Sequence, residues 1–385
     1  MFERYIKHAL RETETCFLWG PRQVGKSTLL KTVFPAAKRY DLLLSDEYFR
    51  LVQNPALIRE ECMASGLNGE NQTEPIIIDE VQKVPELLDE VHWLMENLGL
   101  RFILCGSSAR RVKRKGGNLL GGRAVRYQLF PLVYPEVPDF SLERALHSGL
   151  LPRHYLSKNP KRLLQSYVGD YLKEEIAQEA ATRNLAAFSR FLEVAALSNS
   201  EIINYTNIAS DCGVSSPTVR SYYEILEDTL IGHFIPAFRK RKKRRLIHAP
   251  KFIFFDVGIV GYLTRRGKVE PGSEVFGRAF EHFICLEVLA HSTYSELFYS
   301  IAYWRTASQF EVDLVLGDHE VAIEIKATTQ TRSRHLKGLR AFKEEYKAEK
   351  YILVSLDPSP RLTEDGILIL PWEEFLKRLW SGDII

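Results

Sequence analysis

The sequence predicts an α/β protein: a parallel-sheet domain, then a helical connector, then a second α/β domain. Three observations lead to this prediction. Short β-branched runs alternate with segments of helical spacing over residues 15–108, an order typical of doubly wound parallel sheets. From about 141 to 235 the apolar residues recur at helical spacing, without strong strand runs. Strand-like runs return near residue 251 and alternate with helical segments towards the C-terminus.

Length and composition restrict the class of protein. With 385 residues the chain is long enough for two or three domains, and 45% hydrophobic and 26% charged residues are ordinary for a globular protein. This composition excludes intrinsic disorder, collagen and a disulfide scaffold. The net charge is only +3, so the total charge does not identify a nucleic-acid partner.

Neither a membrane segment nor a secretory signal is predicted. No run of about 18 apolar residues is present, and the charged N-terminus lacks the apolar core of a signal peptide. The five cysteines are scattered, without the spacing of a metal site, and we expect buried thiols in a reducing compartment. A cytoplasmic protein without a membrane partner is therefore predicted.

Three strands are predicted in the first domain, at residues 15–20, 76–80 and 101–108. A segment of helical spacing follows each of the first two strands, and a proline-rich segment at 131–140 marks the end of the domain. We therefore expect domains at 1–140, 141–238 and 239–385.

A phosphate-binding motif follows the first predicted strand. The sequence fits G-x-x-x-x-G-K-[ST], in which glycines let backbone N–H groups face phosphate oxygens at a helix N-terminus. Lysine reaches the β- and γ-phosphates, and the serine hydroxyl is a Mg²⁺ ligand. The predicted ATP-binding residues are Gly20, Pro21, Arg22, Gln23, Val24, Gly25, Lys26, Ser27 and Thr28.

Carboxylates and a hydroxyl complete the predicted ATP site. Three isoleucines carry Asp79 and Glu80 to a strand end, where Asp79 can hold Mg²⁺ and Glu80 can orient the attacking water. A hydroxyl at the end of the third strand, of Ser107 or Ser108, can contact the γ-phosphate or the water. Arg123 is either an arginine finger, for its own subunit or a neighbour's, or a surface arginine.

These motifs together carry a family resemblance. The runs FLWGPRQVGKSTLL, IIIDEVQKVPELL, ILCGSSAR and LLGGRA resemble AAA-type ATPases that carry the C-terminal domain of unknown function numbered 4143. The likeness continues over nearly the whole chain. It implies an ATPase core with Lys26, Ser27, Asp79 and Glu80 in nucleotide roles, Ser108 as the sensor and Arg123 as the motif arginine. It also implies a middle helical region and a C-terminal fold like restriction endonucleases.

Residues 206–232 have the pattern of a helix-turn-helix. Gly213 supplies the turn, and Ser215 or Ser216 can cap a second helix that has Pro217 in its first turn. One interpretation is a winged-helix DNA-binding element in which Arg220 and neighbouring hydroxyls face a groove. The other is a helical hairpin that only packs domains together. The sequence leaves both open.

Two basic clusters favour DNA as the partner, with a solvated loop or a localisation signal as the alternatives. A run of seven cations follows the candidate helix-turn-helix, where a wing would lie, and five more follow the third strand. The predicted DNA contacts, besides Arg220, are Arg239, Lys240, Arg241, Lys242, Lys243, Arg244 and Arg245, and Arg110, Arg111, Lys113, Arg114 and Lys115.

The C-terminal domain carries the pattern D-x₁₀-E-x-K. A bend at 317–319 would place Asp313 beside Glu324 and Lys326, with Val312 at the usual proline position of a PD-(D/E)xK nuclease motif. Asp313 and Glu324 are the predicted ligands for Mg²⁺ or Mn²⁺, and Lys326 can stabilise developing charge. The set resembles the PD-(D/E)xK nuclease motif, and this resemblance implies the helix residue Glu281 as a further carboxylate ligand. The alternative is a cross-strand charge pair on a scaffold that does not cleave.

The sequence favours a Mg²⁺-dependent ATP hydrolase coupled to DNA binding, on branched or recombining DNA, with metal-dependent cleavage as a further activity. An arginine supplied to a neighbouring site predicts a homo-oligomer. The alternative is a non-nucleolytic, ATP-driven switch or adaptor that acts on a protein partner. A nuclease with a vestigial ATP site is disfavoured because Lys26, Asp79 and Glu80 are all present.

Overall fold

A computed structural model describes residues 2–12, 14–108, 110, 120–175, 184–238 and 249–385. The chain forms two compact units: the first comprises Met1–Leu132 with Asp228–Leu230, and the second comprises Val133–Glu227 with Ile231–Ile385. The predicted domain boundaries at 1–140, 141–238 and 239–385 stay predictions.

The first unit is built on a five-stranded sheet in the order β2-β3-β4-β1-β5. Neighbouring strands are parallel throughout, as the alternating pattern predicted. The central strands are buried, and residues such as Phe17, Ile78 and Leu104 have no exposed surface. The strands are β1 (Cys16–Trp19), β2 (Arg39–Asp41), β3 (Ile76–Asp79), β4 (Phe102–Gly106) and β5 (Val125–Gln128).

Helices connect these strands, because parallel neighbours need crossover connections. A 3₁₀ turn, Val81–Lys83, follows β3 directly, and a second, Leu120–Gly122, precedes β5. The α-helices are α1 (Lys7–Glu12), α2 (Lys26–Val33), α3 (Ser45–Gln53), α4 (Leu57–Ala64) and α5 (Leu87–Leu98).

The second unit begins with a helical region and a two-stranded antiparallel sheet. Helices α9 to α11 share an aromatic core in which Phe191 contacts Tyr222 and Tyr223. The elements are a 3₁₀ turn (Tyr134–Glu136), α6 (Leu142–Ser148), α7 (Pro152–Leu156), α8 (Pro160–Ser166), a π-helix (Tyr167–Glu175), α9 (Leu185–Leu197), α10 (Tyr205–Cys212), α11 (Ser216–Asp228), β6 (Gly232–Ile235), β7 (Lys251–Phe254) and α12 (Val257–Leu263).

A six-stranded mixed sheet completes the second unit, in the order β12-β13-β11-β10-β9-β8. Strands β10, β11 and β13 are parallel, whereas β9 pairs antiparallel with β8 and β10. The restriction-endonuclease-like character of this region stays a prediction. Its elements are α13 (Glu274–Tyr294), β8 (Ile301–Arg305), β9 (Glu311–Leu316), β10 (Val321–Ile325), a 3₁₀ turn (Ser333–Leu336), α14 (Lys337–Glu345), β11 (Lys350–Ser355), β12 (Arg361–Leu362), β13 (Ile367–Pro371) and α15 (Trp372–Trp380).

Two further properties follow from the described elements. Over the ranges given above, no helix combines the length and the apolar character needed to span a membrane. The five cysteines are all buried and free.

Candidate functional site

The phosphate-binding motif forms the loop between β1 and α2. Strand β1 lies between β4 and β5, so the loop emerges in the interior of the sheet rather than at its rim. Gln23 and Gly25 have positive φ values of 65° and 100°, which turn the loop into the first residue of α2. Pro21 and Val24 are buried, whereas Gln23 and Thr28 are exposed. The loop thus has the curled form that directs backbone N–H groups towards one point.

Lys26 is held inside its own loop. Its Nζ donates hydrogen bonds to the backbone oxygens of Gly20, at 2.7 Å, and Pro21, at 3.1 Å. The residue is only 6% exposed, so these carbonyls satisfy an ammonium group that burial would otherwise make costly. Both partners are neutral, and an anionic phosphate is a stronger partner for the ammonium.

Ser27 and Asp79 meet across the sheet edge. Ser27 Oγ donates a hydrogen bond of 2.7 Å to Asp79 Oδ2. The other carboxylate oxygen, Oδ1, accepts from the backbone N–H of Glu80 at 3.0 Å. A serine hydroxyl and a carboxylate are the two protein oxygens that hold Mg²⁺ in P-loop proteins, and their contact fits that ion.

Glu80 is fixed by two neighbours, one of which the sequence prediction missed. Gln82 Nε2 donates to Glu80 Oε2, and Ser107 Oγ donates to the same oxygen at 3.3 Å. Gln82 Nε2 also donates to Ser107 Oγ at 3.1 Å, which closes a buried triangle. Gln82 lies in the 3₁₀ turn after β3, and its position two residues beyond Glu80 was the signal available in the sequence.

Ser108 and Arg123 lie in different surroundings from Glu80. Ser108 is buried, and its Oγ accepts from the backbone N–H of Arg110 at 3.1 Å. Ser107, rather than Ser108, supplies the hydroxyl that bonds Glu80. The Nε of Arg123 lies 2.7 Å from Glu96 Oε1, and both side chains are about half exposed. Arg123 can therefore exchange this carboxylate for another anion.

The predicted DNA contacts are described only in part. Arg110 pairs with Asp228 at 3.2 Å and has an 11% exposed side chain, which leaves little of it for a phosphate. Arg220 is exposed on α11 and lies 4.0 Å from the centre of the Tyr205 ring. Outside the described residues lie Arg111, Lys113, Arg114, Lys115, Arg239, Lys240, Arg241, Lys242, Lys243, Arg244 and Arg245.

The structure brings Asp313, Glu324 and Lys326 together. Strands β9 and β10 pair so that Leu314 lies opposite Ile323, which places Asp313 next to Glu324. Asp313 Oδ2 accepts from the backbone N–H of Ile325 at 2.7 Å. Lys326 Nζ lies 2.6 Å from Glu324 Oε1 and 3.5 Å from Asp313 Oδ2.

A second lysine shares this pocket and was missed in the sequence. Lys251, at the start of β7, lies with its Nζ 2.7 Å from Glu311 and 3.8 Å from Glu281. Arg305 reaches the other oxygen of Glu311 at 3.3 Å. The pocket has a volume of about 410 Å³. We call it the acidic pocket. The charged residues that line it are Glu201, Lys251, Glu281, Arg305, Glu311, Asp313, Glu324 and Lys326.

Burial and mutual repulsion shift the pKa values in the acidic pocket. Burial, followed by the charge of Asp313, raises the pKa of Glu281 to about 7. The same two causes hold the pKa of Glu324 well above its usual range. Burial alone would lower the pKa of Lys251 and of Lys326, but the surrounding carboxylates outweigh it and raise both.

The fit of a metal ion to this pocket rests on two carboxylates. Glu324 is 5% exposed, and its Oε2 has no hydrogen-bond partner in the described part of the chain. Among the residues that the structure describes, no group of three or more His, Cys, Asp or Glu is arranged to hold a metal. Glu281, the third predicted ligand, contacts Lys251 instead. Mg²⁺ often needs only one or two carboxylates because it keeps several waters, so Asp313 and Glu324 fit it.

Comparison with known protein families divides the chain into three parts. Residues 12–137 match the family described as AAA domain. The first unit is therefore similar to AAA-type P-loop domains, in agreement with the prediction from its motifs. Residues 139–270 match a domain of unknown function, DUF8612, and residues 276–375 match another, DUF4143, which confirms the predicted presence of that second family.

Individual relatives are distant. An uncharacterized protein of Mycobacterium tuberculosis is 25% identical over 346 residues, which cover 86% of this chain and 75% of that protein. An uncharacterized protein of Mycobacterium bovis matches to the same extent. A Walker-type ATPase of Pyrococcus abyssi has 15% identity and a TM-score of 0.46, over 68% of this chain and 93% of its own. That TM-score is too low to assign a fold or a function.

We predict that Gly106→Ala slows ATP turnover without weakening ATP binding. An added Cβ would lie 2.2 Å from Gln82 Oε1 and 2.7 Å from the Trp19 ring, so Gln82 must move and release Glu80. A misplacement of about 1 Å at a catalytic group costs about 100-fold in rate. Turnover and nucleotide affinity should therefore be measured side by side. Gly267→Ala is the control, because its Cβ meets no atom within 4 Å. Wild-type turnover of Gly106→Ala would contradict the prediction.

Proposed function

We propose that the chain is a Mg²⁺-dependent ATP hydrolase coupled to DNA binding. The observation that carries the ATPase proposal is the 2.7 Å contact between Ser27 Oγ and Asp79 Oδ2, beside a fixed Glu80. This contact joins the phosphate-binding loop to the strand end that supplies the carboxylates. The match to the AAA domain supports the same function.

Each side chain of the site has a defined part in hydrolysis. Lys26 leaves the carbonyls of Gly20 and Pro21 and neutralises the β- and γ-phosphates. Ser27 and Asp79 would hold Mg²⁺, which would supply charge neutralisation at the phosphates. Glu80 orients the attacking water and accepts its proton. Arg123 exchanges Glu96 for a phosphate in its own subunit or a neighbour's, and the second case requires a homo-oligomer.

The helical region supports the DNA part of the proposal. Helices α10 and α11 are joined by a turn in which Gly213 has a φ of 66°, and Ser215 Oγ accepts from the backbone N–H of Thr218 at the start of α11. The antiparallel pair β6 and β7 follows, and the seven-cation run lies in the segment between them. A winged helix has this order, with the run as its wing. Phosphate contacts by the run would make DNA affinity fall steeply with salt.

The acidic pocket supports metal-dependent DNA cleavage as a further activity. Asp313 and Glu324 would hold Mg²⁺ or Mn²⁺, and Lys326 lies within reach of both carboxylates to stabilise developing negative charge. Branched or recombining DNA is the proposed substrate, from the pairing of an ATPase with a nuclease-like pocket. A PD-(D/E)xK-type fold for this region is part of the same proposal.

The second candidate is a non-nucleolytic, ATP-driven switch that acts on a protein partner. The observation that favours it is the ion pairing of Lys251 and Lys326 with the carboxylates, which already balances much of the charge in the acidic pocket. The two candidates differ in the effect of DNA on ATP turnover. Stimulation by linear, single-stranded or branched DNA supports the hydrolase coupled to DNA, and no stimulation by any of them supports the switch.

We expect Lys26→Ala to weaken ATP binding by about 10- to 100-fold, since a charge-assisted contact contributes about 1.5–3 kcal/mol. Calorimetric titration with ATP and Mg²⁺ measures the change. Lys31→Ala is the matched control, because Lys31 is exposed on the same helix. Tight binding by Lys26→Ala would remove the loop from its assigned role.

We expect Glu80→Gln to bind ATP normally and to lower its turnover by about 10²- to 10⁴-fold, because the amide cannot accept the proton of the water. Steady-state phosphate release and an equilibrium binding titration separate the two effects. If turnover stays normal, Glu80 is not the group that activates the water.

We expect Asp313→Ala to abolish metal-dependent cleavage of DNA, since it removes one of two carboxylates that hold the cation. Linear, single-stranded and branched DNA should be incubated with and without ATP, Mg²⁺ and Mn²⁺. Asp318→Ala is the control, because this carboxylate is 74% exposed at the bend between β9 and β10. Cleavage that survives Asp313→Ala arises at another site.

A further inference from the structure

We propose that Lys251 is a built-in cation of the acidic pocket, so that the pocket takes one divalent metal ion and not two. The ammonium of Lys251 occupies the half formed by Glu281 and Glu311, and the metal ion takes the half formed by Asp313 and Glu324. This inference rests on the metal-dependent function proposed for the same pocket. It adds how many metal ions the pocket binds and which residue determines that number.

The position of Lys251 is fixed by its backbone. It is the first residue of β7 and pairs with Ile235 of β6 on one side and with Ile202 on the other. The backbone oxygen of its neighbour Pro250 accepts a hydrogen bond from Ile203 N–H at 2.9 Å. The backbone is therefore held on both sides, and the side chain is delivered to one place.

The surroundings of the ammonium fit a permanent cation. Lys251 is 5% exposed, and its Nζ lies 5.3 Å from the centre of the Tyr303 ring as well as beside Glu311. A buried lysine without counterions is strongly unfavourable. Glu281 and Glu311 are about one-quarter exposed, and they are the carboxylates that the ammonium of Lys251 contacts. Removing them would leave its charge uncompensated, so the lysine depends on the two glutamates.

The two lysines of the acidic pocket differ in how far they can leave it. Lys326 contacts Asp313 and Glu324, but its side chain is 38% exposed, so it can turn towards water and give way to a metal ion. The side chain of Lys251 is 6% exposed and therefore stays between Glu281 and Glu311, where it takes the place of a second ion. Within the acidic pocket, one carboxylate oxygen is buried and has no hydrogen-bond partner among the described residues. It is Oε2 of Glu324, in the half of the pocket that Lys251 does not contact.

The test counts Mn²⁺ ions bound per chain. Free Mn²⁺ is measured by electron paramagnetic resonance in a titration of the full chain without nucleotide. All proteins carry Ser27→Ala and Asp79→Asn, so that the ATP site does not contribute. Lys251→Met removes the charge, Lys251→Gln does so with a polar side chain in case the first variant fails to fold, and Lys251→Arg keeps the charge. Glu324→Gln identifies the ion bound in the pocket.

The expected result is one Mn²⁺ in the parent and in Lys251→Arg, lost in Glu324→Gln, and two in the neutral variants. One ion of unchanged affinity in both neutral variants, or two ions in the parent, would overturn the proposal. If the parent binds no Mn²⁺ in the pocket, this proposal and the proposed metal-dependent cleavage both fail, whatever the neutral variants bind.

Discussion

The parallel order of β3, β4 and β1 is the constraint on which the nucleotide site depends. Parallel strands end at the same edge of a sheet, so residues that follow them come together although Ser27 and Asp79 are 52 positions apart. Because β4 lies between β1 and β3, the residue after β4, Ser107, comes within reach of Glu80. One strand order thus places the cation ligands and the group that fixes the catalytic carboxylate.

The local motifs of this site were predictable from the sequence because they depend on contiguous residues. The glycines, Lys26 and Ser27 act within one strand–loop–helix unit, and Asp79 ends a buried strand. The sequence could not distinguish Ser107 from Ser108. Successive strand residues point to opposite faces, so the one that faces Glu80 depends on where the strand ends. Gln82 was missed because its role depends on a turn that directs it back to Glu80 and on the space above Gly106.

In the C-terminal region, too, contacts within a local motif were predictable from the sequence and contacts between distant segments were not. The spacing of Asp313, Glu324 and Lys326 implied a hairpin, and pairing within a hairpin follows from its register. Lys251 reaches the pocket from β7, a strand of another sheet, and no local pattern indicates such a contact. The sequence therefore predicts three acidic residues of the pocket, but it does not predict Glu201, Glu311 or the lysine beside them. Buried charges have to be paired, but which side chain supplies the cation, here Lys251, is decided by the fold.

The two buried lysines differ in how readily they can be displaced. Lys26 donates to neutral carbonyls, so an arriving phosphate offers it a stronger, charge-assisted partner and the exchange is downhill. Lys251 already faces two carboxylates, and a metal ion that replaced it would have to leave the ammonium buried without counterions. Lys26 is therefore suited to move with each nucleotide, whereas Lys251 is suited to stay. A lysine bonded to carbonyls, such as Lys26, can respond to a ligand. A lysine bonded to carboxylates, such as Lys251, is a fixed part of its pocket.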